Sequence, residues 1–154
     1  SDVCSSDLGG ALDTKSEPFV EADFASQSAA WVEIGETENL GTVGDTSAEI
    51  AFDSIPAQRT RRLKGTRNAG SMDLVMGIDY EDEGQQALIA AEKTPHDYAF
   101  RIVLNDAPAG GTPSERMFVA KVASVAEAYD TANSVMKLNA SLWVNSNVVK
   151  IDAA

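Results

Sequence analysis

The sequence predicts a mainly β protein: an antiparallel β-sandwich or partial barrel with one substantial helix. Three observations carry this. Between Asn133 and Val149 the chain alternates almost without a break: Met136, Leu138, Ala140, Leu142 and Val144 fall on one face, and Val135, Lys137, Asn139, Ser141 and Trp143 on the other. A period of two held that long means an antiparallel strand with one face in a core. Shorter alternating segments precede it, and only one stretch repeats at helical spacing. Elements of that order pack as sheets with a helix laid against them.

The first 27 residues have no sustained period and are rich in Ser, Asp, Glu and Ala, the composition of a mobile arm. The domain proper is expected over 28–154. Ser1–Leu8 reads as translated adapter sequence rather than protein, and there is no initiator Met, so Ser1–Gly10 is given no functional weight. Ser28–Ile34 is a short strand around Trp31 and Val32, followed by a loop punctuated by Gly35, Gly41 and Gly44. Ala48–Ile55 alternates again and stops at Pro56. A basic segment, Gln58–Gly70, is read as a loop, and Met72, Leu74, Met76 and Ile78 mark the next strand.

Asp79 is the expected N-cap of a helix over Asp79–Lys93, with Asp82 near its positive end. Tyr80, Gly84, Ala87, Leu88 and Ala91 form its stripe, and Pro95 disfavours helix at Thr94. Tyr98–Leu104 is a strand, Asn105–Ser114 a loop rich in Gly and Pro, and Met117–Ala128 a further strand. Tyr129–Asn133 turns the chain into the long alternating segment, and Val148–Ile151 adds a short final strand.

At 154 residues and 44% hydrophobic content the chain can fill one real core. No stretch approaches the roughly 20 apolar residues of a membrane span, and no membrane association is expected. Cys4 is the only cysteine, so an intrachain disulfide is impossible. Twenty-four acidic against 12 basic residues give a net charge of −12, which argues against general affinity for nucleic acid phosphates. The distribution matters more than the total. Arg59, Arg61, Arg62, Lys64 and Arg67 are five basic residues within nine positions that hold no acid, while the rest of the chain holds seven basic against 24 acidic residues, or −17.

Catalytic equipment is thin, and no enzyme, metal or cofactor is expected. His96, the only histidine, follows the helix-ending Pro95 and reads as a solvated loop residue. No Cys/His cluster has zinc spacing. Glu81, Asp82 and Glu83 are consecutive, so on a helix they diverge rather than converge on an ion. Gly110–Pro113 lacks the lysine and following helix of a phosphate-binding loop. Function therefore belongs to surfaces and self-association.

The run Trp31–Glu36 (WVEIGE), then Leu40-Gly41, then Arg62–Gly70 (RLKGTRNAG) resembles the major tail tube protein of long, non-contractile phage tails and related gene-transfer particles. The order of helix, strand, Gly/Pro loop, two long strands and Asn145-Ser146-Asn147 is similar as well, across Ala30 to Ile151. The resemblance implies two packed antiparallel sheets with a flanking helix, closing into hexameric rings that stack into a hollow tube. It also implies a virion tail component assembled in the host cytoplasm, with a tape measure protein, a tail terminator and distal tail or tip proteins as partners. DNA would pass through the lumen without tight binding.

Ring closure would remove the strand edges that an isolated sheet exposes. Alternate residues of Val119–Glu127 and Val135–Trp143 are the candidate lumen lining, with either parity facing inward; Lys121, Glu127, Lys137, Asn139 and Ser141 are named for it. Arg59, Arg61, Arg62, Leu63, Lys64 and Arg67 are the candidate inter-ring contact, since five clustered cations on an acidic body seek carboxylates on a neighbour. The competing reading is a decoration- or adhesin-type β-sandwich that binds a ligand. That would favour aromatics clustered in loops, whereas most here sit in strands.

Overall fold

The computed structural model describes residues 4–27, 29–44, 46–54, 59–68, 70–129 and 136–154. Its strands are β1 (Cys4–Ala11), β2 (Val32–Ile34), β3 (Thr37–Asn39), β4 (Thr46–Ser54), β5 (Arg59–Asn68), β6 (Ser71–Gly77), β7 (Tyr98–Leu104), β8 (Glu115–Ala128), β9 (Lys137–Val144) and β10 (Val149–Ile151). Helix α1 spans Glu83–Glu92, and Glu21–Gln27 forms a 3-10 segment. The mainly β, antiparallel architecture with one α-helix is the one the pattern predicts.

Eight strands make one sheet in the order β2-β1-β7-β8-β9-β6-β3, with β10 paired to the start of β8. The edge strands β2 and β3 are joined through Gly35 and Glu36 alone, so the sheet must curl until its edges nearly meet. Glu36 takes a left-handed φ of 56° in that turn. Strand β9 carries the long alternation: Leu138, Ala140, Leu142 and Val144 are buried, while Asn139 and Trp143 are exposed. The enclosed core adds Leu8, Met72, Leu74, Met76, Phe100 and Phe118, with Leu88 and Ala91 of α1 inserted over it. Phe100 and Phe118 face each other across β7 and β8 with stacked rings 5.8 Å apart.

Several expectations are corrected. The segment read as an arm without weight instead holds β1, which lies between β2 and β7. Backbone pairing decides this, because Ser and Asp give the strand no apolar alternation to read. Its Asp7 is buried by Arg101, whose Nε and Nη2 lie 2.7 and 2.6 Å from one carboxylate oxygen. Residues after β1 cover the sheet's outer face, where Phe19 and Phe24 pack on Ala99, Met117 and Val119. The side chain of Asn147 straps Phe19 down through both of that residue's backbone polar groups.

The helix begins four residues later than expected. Asp79 accepts from the Glu81 N–H in a tight turn, and Asp82 is the cap, accepting from the Gln85 N–H at 2.9 Å. Tyr80 therefore lies outside the helix and is 60% exposed instead of joining its apolar stripe. Gly84 does sit on the buried face, and Gln85 ties the helix to the β2–β3 turn and to Gly77. The expected loop after Gly35 contains β3. The long strand is shorter than its pattern, starting at Lys137, and Asn133–Val135 lie outside the described residues.

Candidate functional site

The basic segment is a strand rather than a loop. β5 pairs with β4 in a two-stranded hairpin, with Ile50 opposite Leu63, Ala51 opposite Arg62 and Ser54 opposite Arg59. Its nine- and ten-residue strands would extend roughly 30 Å. Gly65 sits at a bulge where a side chain would press on Ala48 and Ile50. Sequence reasoning missed the strand because both its faces are exposed, so no polar/apolar alternation marks it.

Among the described residues, β4 and β5 pack on each other and meet other elements only at the fringe. The hairpin springs from the end of the sheet where Val144 and Gly70 are bonded backbone to backbone. A two-stranded ribbon without a core beneath it is marginal in water. This one also exposes large apolar side chains, Ile50 at 50% and Leu63 at 55%.

Register divides the six candidate residues between two faces. Arg59, Arg61 and Leu63 share a face with Ile50, whereas Arg62 and Lys64 share the other with Glu49. Arg62 pairs with Glu49 at 3.1 Å in full solvent, a contact worth about 0–1 kcal/mol. Arg59 and Arg61 have no ion-pair partner among the described residues. The first face thus combines two arginines with an aliphatic pair, a composition found at interfaces. Arg67 lies at the hairpin base, close to Phe19 and Asn145.

The second candidate surface is the outer face of β6, β8 and β9. Lys137, Asn139, Ser141 and Trp143 of β9 lie opposite Gly77, Val75, Asp73 and Ser71 of β6. On the other side, Lys121 opposes Trp143, Ser124 opposes Ser141 and Ala126 opposes Asn139. Four of the five named residues, Lys121, Lys137, Asn139 and Ser141, are therefore brought together. Glu127 is not. A bulge between Val122 and Ser124 shifts the parity of β8, so Glu127 opposes Leu138 on the core-facing register and protrudes beyond the core. It accepts a hydrogen bond from Tyr129, whose phenol is pushed above its usual value by that carboxylate.

The β6 residues of this face were not named from sequence. Their signal was there: Ser71, Asp73, Val75 and Gly77 alternate with buried Met72, Leu74 and Met76. The lysines at its two ends are both neutralised, Lys137 by Glu38 at 3.0 Å and Lys121 by Asp97 at 3.9 Å. The rest of the face is small polar and aliphatic side chains, one carboxylate, Asp73, and the exposed indole of Trp143 beside Lys121.

Other features resolve into structure. Trp31 lies under the Arg101 guanidinium, 4.9 Å from its ring centre, and His96 is exposed. Asp106 is held below the usual carboxylate range by the Ser114 N–H and hydroxyl, which pins the Gly/Pro loop. Among the described residues no three His, Cys, Asp or Glu side chains converge as metal ligands, and no helix is long and apolar enough to cross a membrane.

No protein-family model matches this chain, and no curated protein matches it. Solved structures do. It is similar to a chain of the SPP1 tail tube, determined by solid-state NMR and cryo-EM, at 15% identity and a TM-score of 0.65 over 97% of this chain and 76% of that one. It is similar to a chain of the anti-feeding prophage baseplate at 12% identity and a TM-score of 0.68, over 99% of this chain and 94% of that one. A chain of the native gene transfer agent virion matches at 10% identity and 0.61, over 79% and 88%. The resemblance seen in the sequence is thus matched in three dimensions: this chain has the phage tail tube fold.

Proposed function

We propose that this protein is a structural virion component, not an enzyme, that assembles into stacked hexameric rings forming a hollow tail tube. The observation that carries the reading is the freestanding hairpin on a body with the tail tube fold. The sheet's own edges are short, three residues each. The hairpin's outer edges are long, and they give a neighbouring subunit main-chain groups to pair with. The hairpin is taken as the inter-ring contact, with Arg59, Arg61 and Leu63 on the engaging face. A tape measure protein, a terminator and distal tip proteins would complete such a tail. Purified protein in negative stain should form rings or long tubes; a permanently monomeric particle would contradict the reading and favour a binding module.

The outer face of β6, β8 and β9 is proposed as the lumen wall, with Lys121, Lys137, Asn139 and Ser141 turned inward. Its lysines are already occupied by carboxylates, and the body around it is acidic, so phosphate finds little to grip. Assembled tubes should leave double-stranded DNA unretarded at physiological salt. Tight DNA binding under those conditions would refute the conduit.

A further inference from the structure

A second concentration of positive charge lies beside the hairpin's base. β10 pairs with the start of β8 so that Lys150 stands directly opposite Arg116. Like charges facing each other across an antiparallel pair repel and weaken it. Arg67, near the end of β5, lines the same cleft, a hollow of about 590 Å³ walled also by Pro18, Val43 and Val148. None of its described lining residues is acidic, in a chain of net charge −12. The neighbouring carboxylates are committed elsewhere. Asp106, which feels the charge of Arg116, accepts from both the N–H and the hydroxyl of Ser114. Glu115 pairs with Arg101 at 3.6 Å. Lys150 has no ion-pair partner among the described residues. The guanidinium of Arg116 is half-buried and steadied by the carbonyls of Glu115 and Ile151, to which Nη1 donates, so the rest of its planar fork can meet a ligand.

We infer that this cleft is a binding site for a small multivalent phosphate, either free diphosphate or the diphosphate group of a nucleotide. Its volume is that of an ordinary small-molecule site. Arg116 supplies the fork that matches phosphate oxygens, Lys150 adds a point charge and Arg67 a second guanidinium. The three cations belong to β5, β8 and β10. One bound anion therefore relieves the repulsion between Arg116 and Lys150 and ties the hairpin's base to the body. The site does not depend on whether the chain forms tubes. It is also distinct from the proposed lumen wall, since Arg116 shares the core-facing register of Phe118 whereas Lys121 lies on the outer one.

Calorimetric titration of the full chain with sodium diphosphate at fixed ionic strength should show one saturable site per chain, with a dissociation constant of about 1 mM or below. About 10 mM diphosphate should then raise the melting temperature by roughly 3–6 °C; sodium chloride of the same ionic strength should not. Lys150→Gln, at an exposed position, should weaken binding roughly tenfold, and adding Arg116→Gln should abolish it. Arg62→Gln, out on the hairpin, should bind as the wild type does. ADP in place of diphosphate separates the two sources. Tighter binding places a base against Val43 and Val148, and equal or weaker binding assigns the free anion. Absence of a saturable site overturns the inference. So does binding that survives Lys150→Gln undiminished, or that Arg62→Gln weakens equally, since either puts the anion on other cations. If the Arg116 variant misfolds, the Lys150 variant decides alone.

Discussion

Replacing Arg61 and Arg62 with Glu should leave a folded, soluble subunit that fails to elongate into tubes. The fold is expected to survive because, among the described residues, β5 packs chiefly on β4 and both side chains stand in solvent. The one described ion pair lost, Arg62 to Glu49, is worth at most about 1 kcal/mol. Assembly should suffer far more, since the change swings the hairpin by four units of charge. The single substitutions should differ. Arg61 shares its face with Ile50 and Leu63, whereas Arg62 faces the other way beside Glu49. Arg61→Glu alone should therefore abolish most elongation, and Arg62→Glu alone should shorten tubes only modestly. Tube lengths in micrographs, set beside thermal melts of the subunits, decide it; normal tubes from the double variant would refute the hairpin's role.

The largest expected effect on the fold itself is at Gly84, at the start of α1. A Cβ there would stand 2.1 Å from the Glu33 carbonyl oxygen and 2.7 Å from the Ile34 Cα, both backbone atoms of the strand beneath. Neither can move without displacing β2, so the helix must lift away from Leu88's pocket. Alanine gains up to about 1 kcal/mol in helix propensity, while overpacking costs about 1–3 kcal/mol and more when backbone is struck. Gly84→Ala should thus lower the melting temperature by roughly 5–10 °C, at about 2–4 °C per kcal/mol for a chain of this size. Gly44→Ala, where the added carbon meets nothing within 4 Å, should leave it unchanged. Equal melts for the two variants would show that α1 is not seated on β2 as described.

What could be read from the sequence follows from where the core lies. β7 and β9 were legible because one face of each meets the core and a period of two records it. Of the hairpin, β4 was legible by its alternation, but β5 leaves no such trace: glycine and charge suggest a loop, and only its register with β4 reveals a strand. β1 was illegible for another reason. Asp7 is buried by Arg101, 94 positions away, and such long-range pairing has no local signature. Glu127 was grouped with Lys121 from simple alternation, and the two lie on opposite faces because one bulged residue reverses every parity beyond it. The candidate surfaces left uneven traces. Composition alone marks the cations of β5, alternation marks the β9 face, and the β6 half of that face was overlooked although its pattern was equally plain.

Cryo-EM reconstruction of the assembled protein would test the tube directly. It should show six subunits per ring around an open bore, with Asn139, Ser141 and Asp73 on the inner wall and the hairpin carrying Arg61 reaching into the adjacent ring. A closed particle without a bore, or a tube with that polar face on its outer surface, would contradict it.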